Sequence, residues 1–156
     1  MTHKERVLDN VKSLSNITDS VVSKVDSNIY SIAARKMSDI LGETSYDVYV
    51  LLQVEPTVVA EIEDEDWAYE TSSYDGRKLK NLEFAEAYCI LHYLAITLKK
   101  IDIDTFMTEV ESWGEGSINP IDITKILSYG DRYLLEAKTL VKIYSGDTGT
   151  VGVFAV

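Results

Sequence analysis

The segment from Leu79 to Ile101 limits what this chain can fold into more than any other. Leu82, Ala85, Tyr88, Cys89, His92, Ile96 and Lys99 form one stripe at helical spacing, while Phe84, Ala87, Leu91, Leu94, Ala95 and Leu98 cover much of the remaining circumference. A helix that is apolar nearly all round is a buried one, so this segment has to be wrapped by its own fold or shared with an adjacent subunit. Its polar residues read as crowded toward the ends. The longest apolar stretch, Ala87 to Leu98, is interrupted by His92 and falls short of the roughly 20 residues needed to cross a bilayer.

The other segments read as partners for that helix. From Thr18 to Leu41, Val21, Val22, Val25, Ile29, Ile32, Ala33 and Ile40 recur at three- and four-residue steps, which predicts one helix with Thr18 or Asp19 capping its start and Gly42 at its end. A shorter helix over Lys4 to Leu14 places Val7, Val11 and Leu14 on one side. Between Tyr46 and Tyr69 the pattern divides: Tyr46, Val48, Val50 and Leu52 alternate as in a strand, whereas Val54, Val58, Val59 and Ile62 step as in a helix, and helix is the preferred reading. Tyr74-Asp75-Gly76 reads as a turn before the basic cluster Arg77, Lys78 and Lys80.

Beyond the central helix, Asp102 to Asp104 leads into a short helix over Thr105 to Glu111, and Trp113-Gly114-Glu115-Gly116-Ser117-Ile118 breaks the regularity. Asn119 and Pro120 supply a cap and a first-turn proline for a last helix, in which Ile123, Ile126, Leu127, Leu134, Ala137, Val141 and Tyr144 mark one face. Lys125, Arg132, Lys138 and Lys142 occupy the opposite face, and Gly130 is a close-packing or bending point. The expectation is a mainly α fold: an antiparallel helical bundle over residues 1–144, then an extended C-terminal tail over 145–156.

That tail is Gly-punctuated and apolar, with Val151, Val153 and Phe154 prone to extended backbone. An apolar end fraying in water is an aggregation hazard. Docking resolves it, either on the chain's own body or as a strand added to a partner's sheet edge.

Charge narrows the partners. The 156 residues carry 15 Lys and Arg against 26 Asp and Glu, a formal net charge of -11, which repels phosphate and disfavours nucleic-acid reading through a broad basic face. Glu55, Glu61, Glu63, Asp64, Glu65, Asp66, Glu70 and Asp75 fall in one stretch with no Lys or Arg. Such a block reads first as a solvated face and second as a partner-facing or metal-attracting patch. The start, Met1 to Arg6, is basic but lacks the apolar block of a signal peptide, so a cytoplasmic setting is expected.

Tests for chemistry fail one by one. Asp102 and Asp104 begin like a calcium loop, but Phe106 and Met107 stand where a ligand and the required glycine belong. His3 and His92 have no second histidine at ligand spacing, and His92 among apolar residues reads as a satisfied core histidine. Cys89, the single cysteine, reads as a small buried hydrophobe. Gly114-x-Gly116 lacks the rest of a dinucleotide fingerprint, and Gly146, Gly149 and Gly152 are followed by no Lys-Ser or Lys-Thr. Asn16-Ile17-Thr18 has the letters of a glycosylation sequon, which matter only in a secreted chain. No catalytic residue, cofactor-binding residue, metal ligand or cofactor is therefore expected.

The order of elements, with the central helix Asn81 to Ala95, then Trp113-Gly-Glu-Gly-Ser-Ile118, then the last helix Tyr133 to Tyr144, resembles the head-tail connector (adaptor) proteins of tailed bacteriophages. The resemblance covers about Leu79 to Val156 and more loosely the helix from Thr18; the stretch Tyr46 to Asp75 is extra relative to compact members. It implies a structural virion protein at the head-tail interface, made in the host cytoplasm, and not an enzyme. Its subunits form a homo-oligomeric ring, often of twelve copies, beneath the portal protein. A terminal tail reaches the neighbouring tail or connector protein, and DNA passes through the channel without specific binding. No membrane is involved.

In that picture Gly149, Thr150, Val151, Gly152, Val153, Phe154 and Val156 bind the partner. Phe84, Tyr88 and Leu91, the basic Lys125 and Arg132, and the acidic Glu63, Asp64 and Asp66 make the subunit contacts. The charge of -11 also fits an acidic inhibitor or DNA mimic. Another phage ring component, such as a tail-completion protein, and a small enzyme with an unrecognised site are the remaining alternatives.

Overall fold

The computed structural model describes residues 1–71, 74–112 and 119–146. The proposed tail residues Gly149, Thr150, Val151, Gly152, Val153, Phe154 and Val156, and the break over 113–118, lie outside the described residues. The protein is mainly α, a helical bundle with no strand among the described residues. Among the described residues the helices are α1 (His3–Ser15), α2 (Asp19–Val25), α3 (Ile29–Leu41), α4 (Val48–Leu51), α5 (Pro56–Ile62), α6 (Tyr74–Leu98), α7 (Ile103–Ser112), α8 (Pro120–Ser128) and α9 (Gly130–Ser145), with a 3-10 turn at Tyr69–Thr71. No helix among the described residues is long and apolar enough to cross a membrane.

Local chemistry explains the boundaries. Thr2 starts α1 with a reciprocal capping box: its hydroxyl accepts the Glu5 N–H while the Glu5 carboxylate accepts the Thr2 N–H. Gly42 ends α3 in the left-handed conformation, at φ 73°, as its sequence position predicts. The helix expected from Thr18 to Leu41 is two helices. Asp26 is extended and its Oδ1 accepts the Asn28 N–H at 2.8 Å, a side-chain turn that replaces helical bonding while the apolar period runs on across it. Thr18 occupies the cap position of α2 but makes no side-chain capping bond.

The last helix is likewise broken, at Tyr129, into α8 and α9. Asn119 caps α8 as expected, accepting the Ile121 N–H at 2.9 Å. The Tyr74-Asp75-Gly76 turn signal is overridden, because these residues form the first turn of α6. The ambiguous region resolves into the short helices α4 and α5 and the turn at Tyr69.

Helix α6 runs through the middle, packed by α1, α3, α8 and α9. Leu79, Leu82, Ala85, Ala87, Cys89, Ile90, Leu91, Leu94, Ala95 and Leu98 are all buried within the chain. Of the two expected ways to cover this helix, the chain's own fold is the one observed. Leu91, expected at a subunit interface, is corrected: it is fully buried in its own subunit because neighbouring helices close over that side of α6.

Gly130 is the close approach its sequence position suggested. A Cβ there would lie 3.0 Å from the Ala95 Cβ, and the His92 Nδ1–H donates to the Gly130 carbonyl at 2.7 Å, which satisfies that buried histidine. Two small residues thus set the separation of α6 and α9. Gly130→Val is expected to destabilise the protein by about 1–3 kcal/mol through overpacking at this crossing, measured as a lower midpoint in urea unfolding.

Candidate functional site

The densest polar constellation joins α1 to α6. His3, Arg6 and Asn10 share one face of α1, and Glu83 and Glu86 share one face of α6, because residues three or seven apart line up on a helix. Arg6 forks onto Glu83, with Nε to Oε1 at 2.8 Å and Nη2 to Oε2 at 2.7 Å. His3 bridges both carboxylates, Nδ1 to Glu83 at 2.6 Å and Nε2 to Glu86 at 2.8 Å. The Tyr69 hydroxyl donates to Glu83 at 2.6 Å, so the Glu83 carboxylate, 0% exposed, accepts four hydrogen bonds. Arg6 also donates to the Tyr49 hydroxyl at 2.6 Å, and that hydroxyl donates to Glu63 at 3.1 Å. The guanidinium lies 5.7 Å from the Tyr49 ring and 5.6 Å from the Trp67 ring, in cation-π range of both.

Two cations face two anions, so the cluster is charge-balanced, the condition under which buried charges are tolerated. Burial lowers the His3 affinity for protons, but the hydrogen bonds and charges of Glu83 and Glu86 overcome it and raise the pKa to about 9. Burial pushes Glu83 upward, and its bonds to His3 and Arg6 more than reverse this, leaving it below the ordinary carboxylate range. Burial raises Tyr49 to about 12 and drives Tyr69 higher still, the latter helped by the Glu83 charge. A general acid or base works best near the operating pH, and these shifts move His3, Glu83 and both tyrosines away from neutrality. The arrangement is suited to clamping α1, the α4–α5 region and α6 together.

This cluster escaped the sequence reading, in which His3 stood alone and the polar residues of the central helix read as terminal. The available signal was Glu83 and Glu86 embedded among Leu82, Ala85 and Ala87, with His3, Arg6 and Asn10 at matching spacing upstream. Cys89 is fully buried, its Sγ 3.9 Å from the Met37 sulfur and its thiol pushed up to about 12 by burial. Among the described residues no three His, Cys, Asp or Glu side chains gather as a metal-ligand group.

The surface carries the remaining expected residues. Tyr88 of α6, Lys125 of α8 and Arg132 of α9 come together around Tyr129 and Tyr133. Their rings form a chain, Tyr88 to Tyr133 at 6.0 Å and Tyr129 to Tyr133 at 6.3 Å, flanked by clefts of about 350 and 270 Å³. Ile121 and Tyr129 are exposed on the same pair of helices, at 63% and 44%. Phe84 lies apart from this group, half-buried against Tyr69 at 6.3 Å. Asp64 and Asp66 are exposed, whereas Glu63 is half-buried and engaged by Tyr49. A separate groove of about 530 Å³ runs between the end of α3, α4 and the outer face of α9. Comparison of the chain with family models, with curated proteins and with solved structures gives no match.

Proposed function

We propose that this chain is a structural subunit of a tailed-phage virion: a head-tail connector that assembles side by side into a ring below the portal, around a channel through which DNA passes without specific binding. The observation that carries this reading is the tyrosine-rich α8–α9 face, where Tyr88, Tyr129, Tyr133, Lys125 and Arg132 line neighbouring clefts and Ile121 is exposed on α8. Tyrosine and arginine flanking clefts are the composition of protein-protein contacts, in which large rings bury area at low entropic cost and a few residues dominate affinity. A closed ring needs two different patches per subunit. The exposed acidic residues Asp64 and Asp66, on another part of the fold, supply a second, different patch with which Lys125 and Arg132 would pair, beside the Asp122 and Glu136 that line the same clefts as those two basic residues. The exposed apolar side chains that assembly would cover, among them Val50, Val58, Ile121, Leu135 and Ile143, sit on α4, α5, α8 and α9 rather than on α6.

Native mass spectrometry and light scattering of the purified chain, alone and with a portal ring, test the assignment. The expected result is a ring, or a monomer that rings only on the portal. Lys125→Glu with Arg132→Glu is expected to block assembly while leaving the helical circular dichroism unchanged. Asp64→Lys with Asp66→Lys in the same chain is expected to restore it. A chain that stays monomeric with and without the portal, or a tight dimer that competes with DNA for a basic partner, overturns the reading in favour of a different interaction protein.

A further inference from the structure

We infer that the groove between α3, α4 and α9 is the docking site for an acidic amphipathic helix of a partner protein. Ile40, Leu41, Leu51, Leu135, Val141 and Tyr144 give it an apolar lining around a volume of about 530 Å³, with Lys138 and Lys142 on the α9 side. Leu135 is 62% exposed, so the wall it forms stands open to water.

Charge identifies the occupant. Lys138 and Lys142 are one helical turn apart on α9, where like charges repel, and neither makes an ion pair with another described residue. A third cation stands beside the lining, because the Lys78 Nζ lies 5.9 Å from the centre of the Tyr144 ring. The chain as a whole carries -11, so this local excess of positive charge runs against its composition. Carboxylates on an incoming partner relieve the repulsion between the two lysines. Glu43, just beyond the end of α3, is the one acidic side chain in the lining among the described residues. It disfavours carboxylates on the α3 side, so a helix lying in the groove turns its acidic edge toward α9.

Shape separates a helix from a small molecule. Small-molecule sites enclose about 70–90% of the ligand's surface, which a trough with so open a wall does not do. A helix brings its own cover: it inserts the side chains of one face and keeps its polar back in water. From Leu135 to Tyr144 the α9 wall is about 14 Å long, enough for apolar anchors at i, i+4 and i+7 of a partner helix, which span about 11 Å. Carboxylates four residues apart on that helix have the same spacing as Lys138 and Lys142, so both pairs form in one register.

The inference stands apart from the ring. The groove shares no lining residue with the clefts around Tyr88, Tyr129 and Tyr133.

Selection from a ribosome-displayed library of random peptides, each about 16 residues and so long enough to hold a helix, tests it against the full chain. The expected result is enrichment of peptides with apolar residues at helical spacing and net negative charge, whose synthetic copies shift the Leu51 and Leu135 amide signals in NMR. Leu135→Glu, at an exposed site where the circular dichroism is expected to stay unchanged, should weaken their binding by about tenfold or more. Selection against the chain carrying Lys138→Glu with Lys142→Glu is expected to return basic helices instead. No enriched peptide, peptides of neutral or positive net charge, or binding that survives Leu135→Glu overturns the inference. Shifts at Leu51 and Leu135 that grow with protein concentration in the absence of peptide also overturn it and assign the groove to a second copy. Saturable shifts on adding decanoate, with no peptide selected, overturn it in favour of a small alkyl anion. None of these outcomes bears on whether chains reversed at Lys125 and Arg132 form rings.

Discussion

Glu83→Gln is expected to cost the fold about 3–5 kcal/mol, the range for breaking a buried ion pair by removing one partner. The side chain is 0% exposed and accepts from Arg6 twice, from His3 and from Tyr69. Glutamine keeps the volume but carries no charge and offers one oxygen in place of two. Arg6, 6% exposed, is then left with a buried guanidinium opposite a neutral amide. The loss is largely the cost of that stranded cation rather than the strength of the pair. Removing both charges together, as in Arg6→Met with Glu83→Leu, is therefore expected to recover most of the lost stability, since well-packed apolar replacements of buried pairs are often neutral or better. Urea unfolding followed by far-ultraviolet circular dichroism compares the single and double variants directly. A double variant as unstable as the single one would mean that the clamp's value lies in its hydrogen bonds to Tyr69 and His3 instead of its charge balance.

That clamp marks the boundary of what the sequence made legible. Elements whose chemistry is local were readable. The first helix was expected over Lys4 to Leu14 and runs His3–Ser15. Gly42 ends α3, and Asn119 with Pro120 opens α8. The all-round apolar character of α6 correctly placed it among neighbours. Where the apolar period crossed a break, periodicity misled: Val22, Val25 and Ile29 keep their steps through Asp26–Asn28, yet the Asp26 side chain turns the backbone there. Asp75-Gly76 misled in the opposite direction, because residues with turn preferences were absorbed into the start of α6.

Long-range pairing was the least legible. His3 and Glu83 are 80 residues apart, and one sequence offers no means of matching them among 26 acidic residues. The same gap explains Leu91. Counting apolar positions on α6 showed that something must cover them, but not whether the cover is intramolecular. Helices α1, α3, α8 and α9 provide it, and the exposed apolar residues Ile121, Leu135 and Ile143 lie instead on the outer helices.

Stability is expected to fall as pH rises from about 6.5 to 9, by about 3 kcal/mol through His3 alone. The sign follows from the direction of the shift. The ordinary histidine pKa is 6.5 and in the folded chain it is raised to about 9, so the folded state holds this proton more tightly than the unfolded one. The contribution is complete below 6.5, where both states are protonated, and vanishes once the pH passes the folded value. Each tenfold change in proton affinity is worth about 1.4 kcal/mol, which sets the size. His3 is the first residue of α1, where the helix dipole opposes a cation, so Glu83 and Glu86 hold the proton against that field as well as against burial. His3→Gln keeps a donor toward one carboxylate and cannot titrate, so its urea midpoint is expected to stay flat across this window apart from other groups. Cys89, raised by burial to about 12, weakens the fold mainly above pH 9 and leaves the His3 window separable. An NMR titration of the His3 ring with a midpoint near 6.5 in the folded chain would remove the basis for the expected slope; a midpoint near 9 with a flat stability profile would show instead that the unfolded chain keeps His3 beside a carboxylate.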